Sequence, residues 1–441
     1  MGLAGRSNGQ EGWSRQHRTR TATRSQGTAA SFMTTLETRI PAIASTVRDV
    51  PGRPTLEALL DSGRLACEVE LPSGACMVHG PRPPRFRLRI HNERLMRRCL
   101  DEFTLGSAYI DNQFDVEGDV LSAMEVRSLL PDGVRWSTRL GFWLDTLLRG
   151  KLARNRAAID FHYSLGNDFY LMFIDQRYRF YSHGIFHTET ESLEQASEHK
   201  LEQMIEALQL RPGMRLLDIG GGWGGVAQYC GQRGIHVTEL TIAPDSYRFI
   251  QNLIETEKLP ADVLLEDFLV HEPDRPYDAI VIYGVIEHIP DYRQFCERVW
   301  TCLRPGGRLY VDASATREKY ALSGFSRRYI WPGTHSPLCL HEFVQELLYH
   351  GMHITELGNE SRDYERTMYH WANRFDDQRS KIIARWGERV YRAFRLYLWG
   401  GCWGFRHDRM QAYRLVAQRG VHVGPRPGMA ARLMSFAKSV L

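Results

Sequence analysis

Apolar and polar positions along this 441-residue chain follow two rhythms, and the rhythm changes at a run of glycines. Arg85-Phe86-Arg87-Leu88-Arg89-Ile90 alternates strictly, so as a strand it sets three arginines on one face and three apolar side chains on the other. Arg94, Arg97 and Arg98 follow within an expected helix. A helical rhythm then runs from Phe142 to Ala158 and again from Leu193 to Leu210. Arg215-Leu216-Leu217-Asp218-Ile219 reads as a short strand that breaks into Gly220-Gly221-Gly222-Trp223-Gly224-Gly225. Beyond the glycines, strands and helices take turns: strand His236 to Leu240, helix Pro244 to Lys258, strands Asp262 to Leu265 and Asp278 to Tyr283, helix Asp291 to Leu303, strand Arg308 to Asp312. His353 to Leu357 and Arg366 to Trp371 are expected as the last two strands, after a substrate-side insertion over 313–340. This alternation predicts an α/β fold, a doubly wound, parallel, Rossmann-like sheet, preceded by a small α+β domain. Residues 376–420 read as helical and aromatic, and the spacing of Tyr391, Phe394, Tyr397 and Leu398 predicts a core stripe.

The same pattern sets the expected boundaries: a disordered basic tail over 1–35, a small lipid-facing domain over 36–150, the glycine-loop domain over 151–420 and a C-terminal tail over 421–441. Met33 is a candidate start. With 43% apolar and 24% charged residues the composition is that of a globular protein. Residues 1–32 hold five arginines against one glutamate and carry the whole excess of +4, so the remainder balances at 51 charges of each sign. That balance argues against a nucleic-acid partner. The eight cysteines include no C-x-x-C pair, so no zinc site or disulfide framework is expected and a cytoplasmic location is. No apolar run approaches the roughly 18 residues of a membrane span. Any membrane contact is therefore expected to be peripheral, on the inner face. The strip Arg85, Arg87 and Arg89 reads equally as a solvated strand face or as a surface for anionic lipid. No residue pattern specifies an oligomeric state.

Chemistry concentrates around the glycines. Gly220, Gly222 and Gly224 allow positive φ and a close approach of backbone to ligand, and Asp218 precedes them in the spacing Asp-x-Gly-x-Gly-x-Gly found in S-adenosylmethionine-dependent methyltransferases. Upstream, Phe161-His162-Tyr163, Gly166-Asn167-Asp168 and Tyr181-Ser182-His183 read either as a cover over the cofactor or as a packed cap.

Together, His162-Tyr163, Gly166-Asn167, Tyr181-Ser182, Asp218 to Gly225, Ile286-Glu287-His288 and Asp363-Tyr364 resemble the successive motifs of the cyclopropane-fatty-acyl-phospholipid synthases and their mycolic acid relatives. The resemblance spans about residues 60–420 and implies a class I methyltransferase sheet. It implies that Tyr163, Tyr181, Ser182, Gly220 and Gly222 hold the methionine end of S-adenosylmethionine, with Thr241 near the ribose and Glu266 or Asp267 at the adenine amine. It further implies attack of an unsaturated phospholipid acyl chain on the sulfonium methyl, followed by removal of a proton by a base. In that family the base resembles a bicarbonate held by a Cys, a Glu, a His and a Tyr. This chain keeps Glu287 and Tyr364 but has His183 at the Cys position and Asp312 at the His position. Two carboxylates facing one bound anion at roughly 4 Å cost about 4 kcal/mol each at an effective dielectric near 20. The substitutions therefore argue against bicarbonate and for a His183–Asp312 general-base pair beside Glu287, giving a ring, a methylene or a methyl branch. Two other readings stand beside this one. The plant benzylisoquinoline N-methyltransferases share the Tyr-Ser and Ile-Glu-His elements, which suggests a small-molecule amine substrate, and the altered base positions suggest a lipid-binding scaffold without turnover.

Overall fold

The computed structural model describes residues 53–131, 165–331, 335–422 and 424–425. The expected basic tail, the helix Phe142 to Ala158 and Tyr163 lie outside the described residues.

The smaller of two sheets contains β1 (Cys67–Glu70), β2 (Cys76–His79), β3 (Phe86–Ile90) and β4 (Phe114–Gly118), in the order β2-β1-β3-β4. Its alternation works as the sequence requires: Phe86, Leu88 and Ile90 point into a core with Leu60, Val69 and Tyr109. The opposite face is not a bare basic strip. Arg87 lies 2.9 Å from Glu68, Arg89 lies 3.2 Å from Glu70 and 3.1 Å from Glu117, and Arg85 lies 2.6 Å from Asp119. Neighbouring strands supply these carboxylates, so cross-strand pairing compensates the charge that the strand alone suggested was free for lipid. The helix expected around Arg94 is a single turn, Glu93–Leu95.

The larger sheet contains β5 (Arg215–Ile219), β6 (His236–Thr241), β7 (Ala261–Leu265), β8 (Tyr277–Tyr283), β9 (Leu303–Ala315), β10 (Met352–Asn359) and β11 (Gln411–Arg419). Its order is β10-β11-β9-β8-β5-β6-β7, with β5 to β9 parallel and β11 antiparallel between β9 and β10. Successive residues of β5 serve opposite faces: Leu217 packs with Ile280, Phe295 and Phe343, and Leu216 packs with Leu201, Met204 and Val226. Helices therefore cover both sides, the doubly wound arrangement that the alternating pattern predicts.

The last strand differs from expectation. Arg366 to Trp371 lies inside the helix Ser361–Asp377, where Thr367, Met368, Trp371, Ala372 and Phe375 recur at helical spacing and are buried. The seventh strand is β11, from the stretch expected to be helical. It lies between two other strands with Leu415, Val416 and Ala417 all buried, so its centre reads as a continuous apolar run without alternation. Most of the aromatic stripe ahead of it is core as expected, while Tyr397 lines the cavity described below. Tyr391, Phe394, Leu398, Trp399 and Trp403 of the helix Glu388–Arg406 pack with Phe169, Tyr170, Trp371 and Phe375. At Gly401 the two helices pass so closely that a Cβ would lie 2.3 Å from Met368 Cε.

Arg392 and Arg395 of the same helix lock the small sheet in place. Arg392 donates to the Tyr109 and Phe114 carbonyls at 3.1 Å each and to Asn112 Oδ1 at 2.7 Å, and pairs with Asp115. Arg395 donates to Tyr109 Oη at 2.9 Å and to the Val116 carbonyl at 3.2 Å. No helix among the described residues is long and apolar enough to cross a membrane.

Candidate active site

The site forms where β5 ends. Gly220, Gly221, Gly222 and Gly224 have φ of 109°, 42°, 52° and 73°. Two of them show why glycine is needed. A Cβ on Gly220 would lie 2.4 Å from Val285 Cγ2, whereas one on Gly222 would meet nothing within 4 Å and would project into open space. The loop is thus pressed against β8 on one side and bare on the other, a cradle that fits the amino-acid end of S-adenosylmethionine. Below it, Asp218 and Glu239 are both buried, and Glu239 Oε1 accepts the Ala227 N–H at 2.8 Å. Burial pushes Asp218 up to about 6. Burial, then the charge of Asp218, pushes Glu239 well above the usual carboxylate range. Two carboxyls this close and this dry share a proton rather than both ionise, so Asp218 braces the loop from beneath.

The upstream aromatic segment is turned inward by Asp175, which no motif singled out. Its fully buried carboxylate accepts backbone N–H groups from Arg177 at 3.2 Å, Tyr178 at 2.6 Å, Arg179 at 3.0 Å and Phe180 at 2.6 Å. That turn delivers Tyr181 and Ser182 to the cavity. The cavity encloses about 1090 Å³ including its open mouth. Tyr181, Ser182, Asp218 and Gly220 to Gly222 line one part of it, and Trp331, Tyr364, Met368, Trp371, Tyr397 and Phe405 another.

Glu287 enters the same space from a single turn, Ile286–His288, that follows β8. The end of the adjacent β9 supplies Ser314, whose N–H and hydroxyl donate to Glu287 Oε1 at 2.9 and 2.8 Å. Glu287 Oε2 has no hydrogen-bond partner among the described residues. Burial pushes this carboxyl up to about 7, and the charge of Asp312 adds to the push. Its neighbour His288 is pushed down to about 4 by burial and is neutral. Tyr364 stands on the helix Ser361–Asp377 with its ring stacked 4.4 Å from that of Phe405.

His183 and Asp312 do meet, at 3.2 Å, but beneath the cavity rather than in it. His183 Nε2 lies 2.9 Å from Glu360 Oε2, and Glu360 Oε1 accepts from Arg414 Nε at 3.0 Å. Lys200 Nζ lies 2.6 Å from Asp312 Oδ2 and donates to Ser182 Oγ and the His183 carbonyl at 2.7 Å each. Both His183 ring nitrogens thus face carboxylates, and neither His183 nor Asp312 lines the cavity, so the pair does not reach a substrate there. The expected general-base pair is a sealed ion network that holds Ser182 from below. Lys200 and Glu360 were not anticipated. One signal was legible: in the helix Leu193–Leu208, Lys200 falls on the buried stripe with Leu193, Ala196, Leu201 and Met204.

The remaining candidates lie at the carboxyl ends of β6 and β7. Thr241 Oγ1 accepts the Ala243 N–H at 3.2 Å. Glu266 Oε2 lies 2.9 Å from His271 Nδ1, and Asp267 Oδ1 accepts the Leu269 N–H at 2.9 Å, capping the turn Phe268–Val270. They share a sheet edge with the glycine loop but do not line the cavity.

Comparisons with known proteins agree with this geometry. Residues 150–415 match the family model described as mycolic acid cyclopropane synthetase. The chain is 28% identical over 376 residues to the cyclopropane-fatty-acyl-phospholipid synthase of Escherichia coli strain K12, covering 82% of this chain and 95% of that one. It is 24% identical over 330 residues to a probable fatty acid methyltransferase of Pseudomonas putida, covering 71% and 81%. The structure of the cyclopropane synthase MmaA2 from Mycobacterium tuberculosis aligns with a TM-score of 0.56 at 27% identity, over 60% of this chain and 98% of that one.

Proposed function

Because this chain belongs to the mycolic acid cyclopropane synthetase family, whose members are S-adenosylmethionine-dependent methyltransferases, we propose that it acts on the double bond of an unsaturated phospholipid acyl chain, leaving a cyclopropane or, with the unsaturation retained, a methyl or methylene branch. The observation that carries this reading is the oxygen of Glu287 left unpaired among the described residues in a largely aromatic cavity beside the glycine cradle.

S-adenosylmethionine supplies an electrophilic methyl group. An alkyl chain asks only for apolar contact, which Trp331, Met368, Trp371 and Tyr397 provide. Attack by the π bond leaves positive charge on carbon, and aromatic faces around it stabilise a cation that hydrogen bonds cannot reach. The product then forms by loss of a proton from carbon. Glu287 accepts it at Oε2 while Ser314 holds Oε1, and its raised pKa makes it a stronger base than an exposed carboxylate. Bicarbonate does not fit: His183 and Asp312 are committed to their own network, and the anion would meet the charge of Glu287 with no cation left for it among these groups. The base is therefore Glu287 itself.

A lipid substrate implies work at a membrane surface, and we place the protein as a peripheral enzyme on the cytoplasmic face. Incubation with vesicles of unsaturated phospholipid and labelled S-adenosylmethionine tests the reading. Mass spectrometry should find one added carbon per modified acyl chain. Transfer to small amines with none to lipid would overturn it.

A further inference from the structure

Below Ser182 and His183 the chain runs out to the surface and turns into the helix Leu193–Leu208, and on that turn we infer a binding site for a divalent transition metal of the zinc class, formed by His187, Glu191 and His199. One ligand atom from each residue lies within 4.8 Å of the others. The two imidazole rings stack with centroids 4.0 Å apart and planes 13° from parallel, and Glu191 Oε2 lies 3.8 Å from His199 Nδ1. Two imidazoles and a carboxylate are a nitrogen-and-oxygen donor set that suits tetrahedral zinc with one position left for water.

The donors are held before any ion arrives. Glu191 Oε2 accepts the His187 N–H at 2.6 Å, which fixes the carboxylate over the turn. His199 sits on the second turn of a helix closed by a Ser192–Gln195 capping box, so its backbone is rigid. The Ile185 carbonyl lies 3.3 Å from His199 Nδ1 and steadies the ring. Parallel rings do not aim their lone pairs at one point. His187 is exposed, however, and its terminal torsion is a broad, soft one, so its ring can turn out of the stack and bring a nitrogen lone pair to the ion. The side chains of Glu191 and His199 are 12% and 22% exposed, which leaves the site reachable from solvent.

Among the described residues two other clusters have comparable ligand spacing, but each already has its cation. His183, Asp312 and Glu360 are met by Lys200 and Arg414, and Glu342 beside Cys339 and His341 lies 2.9 Å from Lys319. The proposed site also has a mechanical reach. The same turn is tied to the helix Ser361–Asp377 by Gly184 N–H to Thr367 Oγ1 at 3.0 Å, Phe186 N–H to Asp363 Oδ1 at 2.8 Å and Arg366 to the Thr188 carbonyl at 2.7 Å. An ion there braces the segment connecting Ser182 to the helix that carries Tyr364.

Calorimetric titration of the metal-free full chain with Zn²⁺, and of its Co²⁺ form by visible absorption, tests the site without any methyl-transfer assay. One ion per chain is expected to bind, to raise the Tm, and to be removed by a chelator. In the double variant His187→Ala, His199→Ala affinity should fall by roughly 100-fold or more, and Glu191→Gln should fall between. Thermal unfolding of the metal-free variants confirms that they fold, and His341→Ala should bind as the parent does. The proposal is overturned by an absence of saturable binding, by undiminished affinity in the double variant, or by loss of the ion in His341→Ala.

Discussion

A carboxylate that takes a proton from carbon has to be dry enough to be basic and held firmly enough to reach, and Glu287 meets these conditions through different neighbours. Burial raises it to about 7, and Ser314 anchors one oxygen while the other points into the cavity. Turnover should therefore climb with pH through about 7, as the base loses its proton. Glu287→Gln should cost roughly 100-fold or more in kcat with little change in cofactor affinity. The same shift bears on stability. Between the ordinary value of 4.5 and about 7 the folded chain holds this proton more tightly than the unfolded chain does. Stability thus falls as pH rises through that window, by on the order of 3 kcal/mol from this group. Thermal scans at the two ends of the window should show a smaller fall in Glu287→Gln than in the parent. The glycines give a sharper contrast. Gly220→Ala places a Cβ against Val285 and should lower both the Tm and cofactor affinity, whereas Gly222→Ala faces open space, carries only the strain of its positive φ, and should lower the Tm less while still weakening the cofactor, as calorimetry would show.

At the scale of elements, the site depends on turns and crossings that local pattern does not reveal. Asp175 replaces regular secondary structure for four consecutive N–H groups, so Asp175→Ala should destabilise the fold by about 3 kcal/mol and raise the KM for S-adenosylmethionine, with Asp175→Asn in between. Nothing around Asp175 in the sequence marks it, because its partners are main-chain groups that any residue carries. Arg392 was equally hidden. It reads as one charge on an amphipathic helix, yet it is 2% exposed and satisfies two carbonyls of the small domain. Arg392→Met should cost about 3 to 5 kcal/mol and expose the small sheet to limited proteolysis while the large sheet persists. Glu287 and the glycine loop were legible because β8 and β5 each end in a compact motif. The role of His183 was not, since it turns on Lys200 and Glu360, which arrive from separate helical and loop segments.

For the molecule as a whole, charge has to be judged after folding. Arg87 and Arg89 look like a lipid-binding strip in one strand, but Glu68, Glu70 and Glu117 neutralise them from the neighbouring strands. Arg87→Ala with Arg89→Ala should accordingly leave sedimentation with anionic vesicles unchanged. A marked loss of binding would restore the strip as a membrane contact.

The chain by itself determined the parallel doubly wound core and the cofactor loop, because each rests on a period or a spacing within a few residues, whereas Glu287 and Tyr364 entered as candidates through the resemblance of their motifs. The same resemblance raised a meeting of His183 with Asp312. Only the tertiary structure decided what that meeting does. The role of a charged pair depends on every charge within a few ångströms, and here those charges come from Lys200, Glu360 and Arg414, 17 to 231 residues away along the chain. The order of the last strands was decided in the same way, since β11 acquires its character only between β9 and β10, where both of its faces are covered.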